Sequence, residues 1–170
     1  MRSVIDVHTH MLSREWMSLL RTHGPPLYEV HPVANGRECI FRGEAPVTVP
    51  TPGHFDYELR IRDMDAAGVD MAVVSLTCPN VYWGGREISR LAAATVNDEM
   101  AAAQQTYPER IRWFASLPWE YPDDAVAELR RAHAHGAVGV MVVANVGGRS
   151  LTAPEFVNIW QAIDDLELPV

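Results

Sequence analysis

Apolar, β-branched runs recur along this chain, each separated from the next by a longer stretch with helical spacing. The runs are Val4–His8, Met71–Leu76, Ile111–Leu117 and Gly139–Ala144, and Leu168–Val170 has the character of a fifth beginning. They are continuously apolar rather than alternating, which suits strands buried on both faces of a parallel sheet. The stretches between them carry helix signals. Asp56–Ala67 brings Leu59, Met64 and Ala67 near helical spacing and stops at Gly68, a natural residue for the left-handed position past a helix end. Arg86–Tyr107 is alanine-rich and is ended by Pro108. Pro122–His135 opens with Pro122, Asp123 and Asp124, which suit the positive end of a helix, and closes at Gly136. Ala153–Leu166 begins with Pro154 and Glu155 after Thr152 as a candidate N-cap. Repeated β-α units with short links imply a parallel sheet with right-handed crossovers, either doubly wound or closed into a barrel. Gly84-Gly85 and Gly147-Gly148 are too short to be a dinucleotide fingerprint or a phosphate loop, so the barrel is favoured.

One segment breaks the alternation. Residues from about Gly24 to Phe55 hold six prolines, several glycines and short β-prone pieces such as Cys39–Arg42 and Val47–Val49. A connection that long is unusual in a compact domain and is functional when it occurs. It reads as an insertion after the first strand, above the C-terminal mouth where such barrels place their active sites. The 170 residues, 48% of them hydrophobic, suit one globular domain. A formal net charge of −8 without a dense Lys/Arg block argues against nucleic acid or anionic membrane as a partner. The longest apolar run, Ala137 to Ala144, is far too short to span a bilayer. Two cysteines, Cys39 and Cys78, make neither a disulfide framework nor a CxxC pair, and the expectation is a reduced, cytoplasmic protein.

The chemistry-bearing residues gather at the first strand. In Asp6-Val7-His8-Thr9-His10, side chains at i and i+2 point to one face of a strand, so both imidazoles can share an ion at roughly 2.0–2.1 Å. Asp6 shares that face by spacing and is placed to fix a histidine tautomer from behind the ligands. His133-Ala134-His135 has the same spacing and serves as a control, because in the last turn of a helix its rings point about 200° apart. His23, His31 and His54 lie in or beside the insertion and read as solvated loop residues, although His54 is placed to face a pocket. Arg42, also in the insertion, is either a surface arginine or a planar fork for a substrate carboxylate. Trp83 and Trp119 follow the second and third strands and Asn145 follows the fourth, which makes Trp83 and Asn145 candidate substrate contacts at the mouth. Cys78 reads as a small buried hydrophobe, and Asn97-Asp98, in mid-helix, as structural.

The run Ile5-Asp6-Val7-His8-Thr9-His10-Met11-Leu12, followed by Arg14-Glu15-Trp16, resembles the N-terminus of amidohydrolase family 2, and most nearly its aminocarboxymuconate-semialdehyde decarboxylases. The resemblance continues through Arg60-Ile61-Arg62-Asp63-Met64-Asp65 with Gly68-Val69, then Asn97-Asp98, Tyr107-Pro108-Glu109-Arg110 and Ser116-Leu117-Pro118. It ends in Gly139-Val140 and the Pro154–Leu166 helix, leaving only the insertion uncovered. It implies an α/β fold, a (β/α)8 TIM-type barrel of the metal-dependent hydrolase superfamily. It further implies that His8 and His10 are zinc ligands, another divalent metal being possible, and that Arg42 in Phe41-Arg42 binds a substrate carboxylate.

The same resemblance marks what these residues lack. The family's third ligand, a histidine at the end of strand five, its catalytic histidine and its final aspartate ligand all lie beyond Leu168-Pro169-Val170, so no catalytic residue is expected within residues 1–170. A full barrel needs about 250 residues and rarely fewer than about 200. The expectation is a single incomplete domain, the N-terminal half of the barrel, truncated or completed by another copy in a homodimer. The intact protein is expected to be a metal-dependent decarboxylase of an unsaturated or aromatic carboxylic acid, and the isolated chain to be inactive. A hydrolase of an amide or lactone on the same scaffold and a non-catalytic half-barrel assembly module are the alternatives.

Overall fold

The computed structural model describes residues 3–170. Its centre is a four-stranded parallel sheet with neighbours in the order β1, β5, β6, β7, where β1 is Ile5–His10, β5 Met71–Ser75, β6 Ile111–Ser116 and β7 Gly139–Met141. β5 and β6 are largely buried, as their mostly apolar sequences require, with Arg112 and Phe114 of β6 partly exposed. β1 departs from that expectation, because Ile5 is 51% exposed and Val7 62% exposed. It is the edge of the sheet, and among the described residues no strand pairs with its outer side.

The crossovers are helical. α2 (Tyr57–Ala67) is capped by Asp56 Oδ1, which accepts the Leu59 N–H at 2.9 Å, and it ends on Gly68 at φ 69°. That left-handed backbone is why glycine closes it. α3 (Gly85–Thr106) and α4 (Pro122–Ala134) fill the next two crossovers, and α5 (Val157–Asp165) follows a short turn of 3-10 helix at Pro154–Phe156.

An additional helix, α1 (Arg14–His23), follows β1 directly, so the proline-rich insertion begins after a helix rather than after the strand. Ser13 caps α1, its Oγ accepting the Glu15 and Trp16 N–H groups at 3.2 and 3.3 Å. The helix buries Trp16, Met17 and Leu20, a spacing of i, i+1 and i+4 that is a core-facing stripe. The insertion folds as a small antiparallel sheet of β2 (Glu29–Pro32), β3 (Glu38–Arg42) and β4 (Ala45–Thr48), in that order. β3 contains the Cys39–Arg42 piece, and β4 stops at Thr48, just inside the Val47–Val49 piece.

β7 ends three residues earlier than its apolar run. After Met141 the chain leaves the sheet and makes a separate hairpin, β8 (Asn145–Val146) with β9 (Arg149–Ser150). Gly147 and Gly148, at φ 57° and 79°, form its two-residue turn, the conformation that two-residue hairpins favour and that glycine adopts without strain. Beyond β7, the Val140 N–H donates to Pro169 O at 2.9 Å, so Leu168–Val170 lies beside β7 as the next strand would. A Cβ on Gly139 would stand 2.8 Å from that same carbonyl and 2.7 Å from the Phe114 ring, which explains the glycine.

One buried side chain ties the layers together. Asn97, fully buried on α3, donates from Nδ2 to Ser116 O at 2.9 Å and to Glu128 Oε1 at 2.7 Å, and its Oδ1 accepts the Ser116 N–H at 2.9 Å. It satisfies both backbone groups of the last residue of β6 and links α3 to α4. Its mid-helix position thus has a structural role. Asn97→Ala leaves those backbone groups buried without partners and is expected to lower stability by roughly 1–3 kcal/mol, read from the urea midpoint at unchanged slope.

Candidate metal and substrate site

The C-terminal ends of the four parallel strands carry the functional side chains. His8 is exposed and His10 half-buried; their ring centroids stand 5.2 Å apart at 74° to one another. Two imidazoles bound to one tetrahedral ion by metal–nitrogen bonds of roughly 2.0–2.1 Å hold their centroids roughly 5 Å apart. The pair therefore has the spacing that a shared ion requires.

The second test is the tautomer. His10 Nδ1 lies 3.3 Å from Ser75 O and 3.1 Å from Ser75 Oγ. A carbonyl oxygen only accepts, so Nδ1 carries the proton and Nε2 keeps the lone pair that a metal needs. Burial is the main reason that the His10 pKa falls below the ordinary histidine value; the bond to Ser75 O opposes it, and nearby His8, His54 and Arg60 reinforce it. The shift favours the neutral imidazole, the form that ligates. Arg60 Nη2 donates to His10 O at 3.0 Å and fixes the end of β1 from α2.

Asp6 occupies a different place from that implied by simple alternation. The register between β1 and β5 slips between Asp6 and Thr9, so one extra residue of β1 is accommodated there. A bulge changes the phase of the side chains that precede it. The Asp6 carboxylate accepts the His8 backbone N–H at 3.1 Å; it steadies the backbone of the pair rather than a ring nitrogen. The ring partner is Ser75, opposite His10 in register on the neighbouring strand. A serine one residue before the end of the second apolar run is the sequence signal for it.

His54 lies beside this pair. Its Nδ1 accepts the Thr51 N–H at 3.0 Å, and its carbonyl accepts the Leu12 N–H at 2.7 Å. A ring nitrogen that accepts leaves the other to carry the proton, so His54 presents an N–H rather than a lone pair. Among the described residues, no group of three or more His, Cys, Asp or Glu side chains is arranged to hold a metal ion. Among the described residues, His8 and His10 are a pair without a third ligand.

A cavity of about 180 Å³ opens at the same end of the sheet, under the insertion. Arg42 at the end of β3 and Asn145 on β8 both line it, with Tyr28, Cys78, Tyr82 and Glu120. The Arg42 guanidinium carbon lies 5.9 Å from the Tyr28 ring centre, and among the described residues no carboxylate pairs with Arg42. Asn145 spends its Oδ1 on the Gly148 N–H at 3.1 Å. Cys78 is exposed at this cavity, whereas Cys39 is the buried thiol. Trp83 lies outside the cavity, 3% exposed, its indole N–H donating to Asn80 O at 2.9 Å and its ring packed edge-on against Trp16. Trp119 is likewise buried, against Phe156 and Trp160. Larger depressions lie between α3 and α4 and at the N-terminal ends of β1 and β5, away from the strand ends that carry the histidines.

The parallel β-α units of this chain are shared with known proteins. The chain belongs to the amidohydrolase family, whose profile matches residues 5–170. It is 26% identical over 174 residues to the 2-amino-3-carboxymuconate-6-semialdehyde decarboxylase of Dictyostelium discoideum, a match covering 95% of this chain and 46% of that protein. It is 32% identical over 123 residues to the gamma-resorcylate decarboxylase of Rhodococcus jostii, covering 66% of this chain and 37% of the relative. The 5-carboxyvanillate decarboxylase of Novosphingobium aromaticivorans, solved with manganese and 4-hydroxy-3-methoxy-5-nitrobenzoic acid, superposes with a TM-score of 0.76 at 23% identity. That superposition covers 99% of this chain and 49% of the other. The chain thus spans about half the length of the curated relatives it matches, and its fold is the N-terminal half of a (β/α)8 barrel with helices outside a curled parallel sheet. Among the described residues, no helix is long and apolar enough to cross a membrane.

Proposed function

We propose that these residues form the N-terminal half of a metal-dependent decarboxylase acting on an unsaturated or aromatic carboxylic acid, with zinc as the preferred ion and other divalent metals as substitutes. The observation that carries this reading is the placement of a metal-spaced His8–His10 pair and an unpaired Arg42, lining a cavity, at one end of the same parallel sheet. A divalent ion held there supplies Lewis-acid polarisation of the substrate. His8 and His10 would hold it through imidazole nitrogens, with Ser75 fixing the His10 ring and Asp6 the His8 backbone. Arg42 takes a substrate carboxylate with its planar fork and orients the acid, and Asn145 offers its free amide N–H groups to the same cavity.

The remaining ligands and the group that moves the proton come from residues outside these 170, either in the same polypeptide or in a second copy. The assembled enzyme means both parts together, a cytoplasmic protein that binds a small acid and neither nucleic acid nor membrane. The isolated chain is expected to bind metal weakly and to show no turnover. A monodisperse dimer of it holding stoichiometric zinc would instead establish assembly by self-association.

Release of carbon dioxide separates the two chemistries open to this scaffold. Offered a panel of hydroxylated benzoates and unsaturated diacids, the assembled enzyme is expected to release carbon dioxide in step with substrate loss. Hydrolysis of lactones or amides without gas release would replace the decarboxylase reading with that of a hydrolase.

A further inference from the structure

The histidine pair and the cavity are built on separate connections, and one buried contact joins them. The connection after β5 supplies Cys78, Pro79 and Tyr82 to the cavity lining. It turns on Asn80, fully buried at φ 55°, a left-handed backbone that asparagine adopts more readily than most residues. The Asn80 N–H donates to Thr77 O at 2.8 Å, and its Oδ1 accepts the Val81 N–H at 3.0 Å. Its carbonyl accepts two indole N–H groups, from Trp83 at 2.9 Å and from Trp16 at 3.0 Å. Those two bonds differ in reach. Trp83 belongs to the same connection, so its bond only folds the turn. Trp16 lies 64 residues away on α1, and among the described residues this is the one hydrogen bond between α1 and the connection.

The path from the metal pair to Trp16 is short and held at each step. Met11 and Leu12 are buried, and their N–H groups donate to Ser75 O at 3.1 Å and to His54 O at 2.7 Å. Ser13 then caps α1, which buries Trp16 in its first turn. We propose that Trp16 is a positioning residue of the substrate site, holding the cavity wall through Asn80 at a set place relative to an ion bound by His8 and His10. The inference rests on the reading of the cavity as the place where the acid binds. An acid seated on one connection and polarised by an ion on another needs both in register, and a misplacement of about 1 Å can cost about 100-fold in rate. An indole offers one N–H and no acceptor. With the Trp16 ring buried and Asn80 O as its partner, ring and turn are set together.

Trp16→Phe keeps a buried aromatic ring and deletes the N–H. Trp83→Phe deletes an equivalent bond to the same carbonyl and is the control, since a merely structural role predicts equal effects. In the assembled enzyme, Trp16→Phe is expected to speed hydrogen exchange about three- to ten-fold at the peptide carrying Asn80 and Val81, as the loss of one hydrogen bond should. Cys78, exposed in the cavity wall, gives a readout of binding that needs no turnover. The benzoate concentration that half-protects it from N-ethylmaleimide is expected to rise about three-fold or more in Trp16→Phe, with metal content unchanged. Trp83→Phe should leave benzoate protection near the wild-type value. Equal shifts in protection for the two variants, no shift for Trp16→Phe, or loss of its metal would overturn the positioning role. A wild type that benzoate does not protect would overturn the cavity reading itself, and the role of Trp16 with it. If Trp16→Phe does not fold, native-state exchange of the wild type decides: the Asn80 and Val81 amides are expected to open together with α1, and opening independent of α1 would overturn the joint.

Discussion

His10→Ala is expected to leave the assembled enzyme folded but without its divalent ion. Metal content by inductively coupled plasma mass spectrometry should fall from near stoichiometric to background, with affinity reduced by more than about 100-fold. That figure follows from magnitudes: replacing a group that merely orients a ligand typically costs about 10–100-fold in metal affinity, and losing the ligand itself costs more. Ser75→Ala is the calibrating variant. It removes the 3.1 Å contact from Oγ but keeps the carbonyl that fixes the tautomer, so its loss should be about ten-fold or less. The fold should tolerate both changes, since His10 is half-buried and among the described residues its ring bonds only to Ser75. A His10→Ala protein with full metal content would remove the pair from the site.

Arg42→Ala is expected to raise the concentration of acid needed for half-saturation by roughly 10- to 100-fold, as befits charge-assisted hydrogen bonds worth about 1.5–3 kcal/mol. Arg42→Lys should recover only part of that, because an ammonium keeps the charge and loses the two-pronged geometry. Stability should barely move: Arg42 is exposed and has no ion-pair partner among the described residues, and such surface changes fall within about 0.5 kcal/mol. The combination of lost binding with unchanged stability marks a ligand contact. Equal binding by the wild type and Arg42→Ala would return Arg42 to the status of a surface residue.

The fold was legible where local chemistry and burial agree. β5 and β6 are buried strands whose apolar runs say so, and α2 stops at a glycine whose left-handed backbone the sequence signals. α1 was equally well marked by Ser13 and the Trp16, Met17 and Leu20 stripe, but its closeness to the proline-rich stretch hid it. The antiparallel sheet of the insertion was less visible, because its strands are short and half-exposed and owe their form to pairing with one another. β7 was overrun because an apolar run does not record where the chain leaves a sheet; the double glycine of the hairpin did.

The site divides in the same way. His8 and His10 are local in sequence, and a strand periodicity of two is enough to pair them. The bulge that turns Asp6 towards the His8 backbone is a property of two strands in register, invisible from one. Ser75 is 65 residues from His10, and Arg42, Tyr82, Glu120 and Asn145 come from four separate connections, so the fold alone collects them. Trp83, placed by sequence at the mouth, is drawn inward by its bond to Asn80.

Metal dependence of carbon dioxide release tests the central claim most directly. The assembled enzyme, stripped with a chelator and assayed on its best acid, should release no carbon dioxide, and zinc or manganese at one equivalent should restore it. The His8→Ala and His10→Ala proteins should not recover. Full release from metal-free protein, or recovery by either histidine variant at one equivalent, would contradict it.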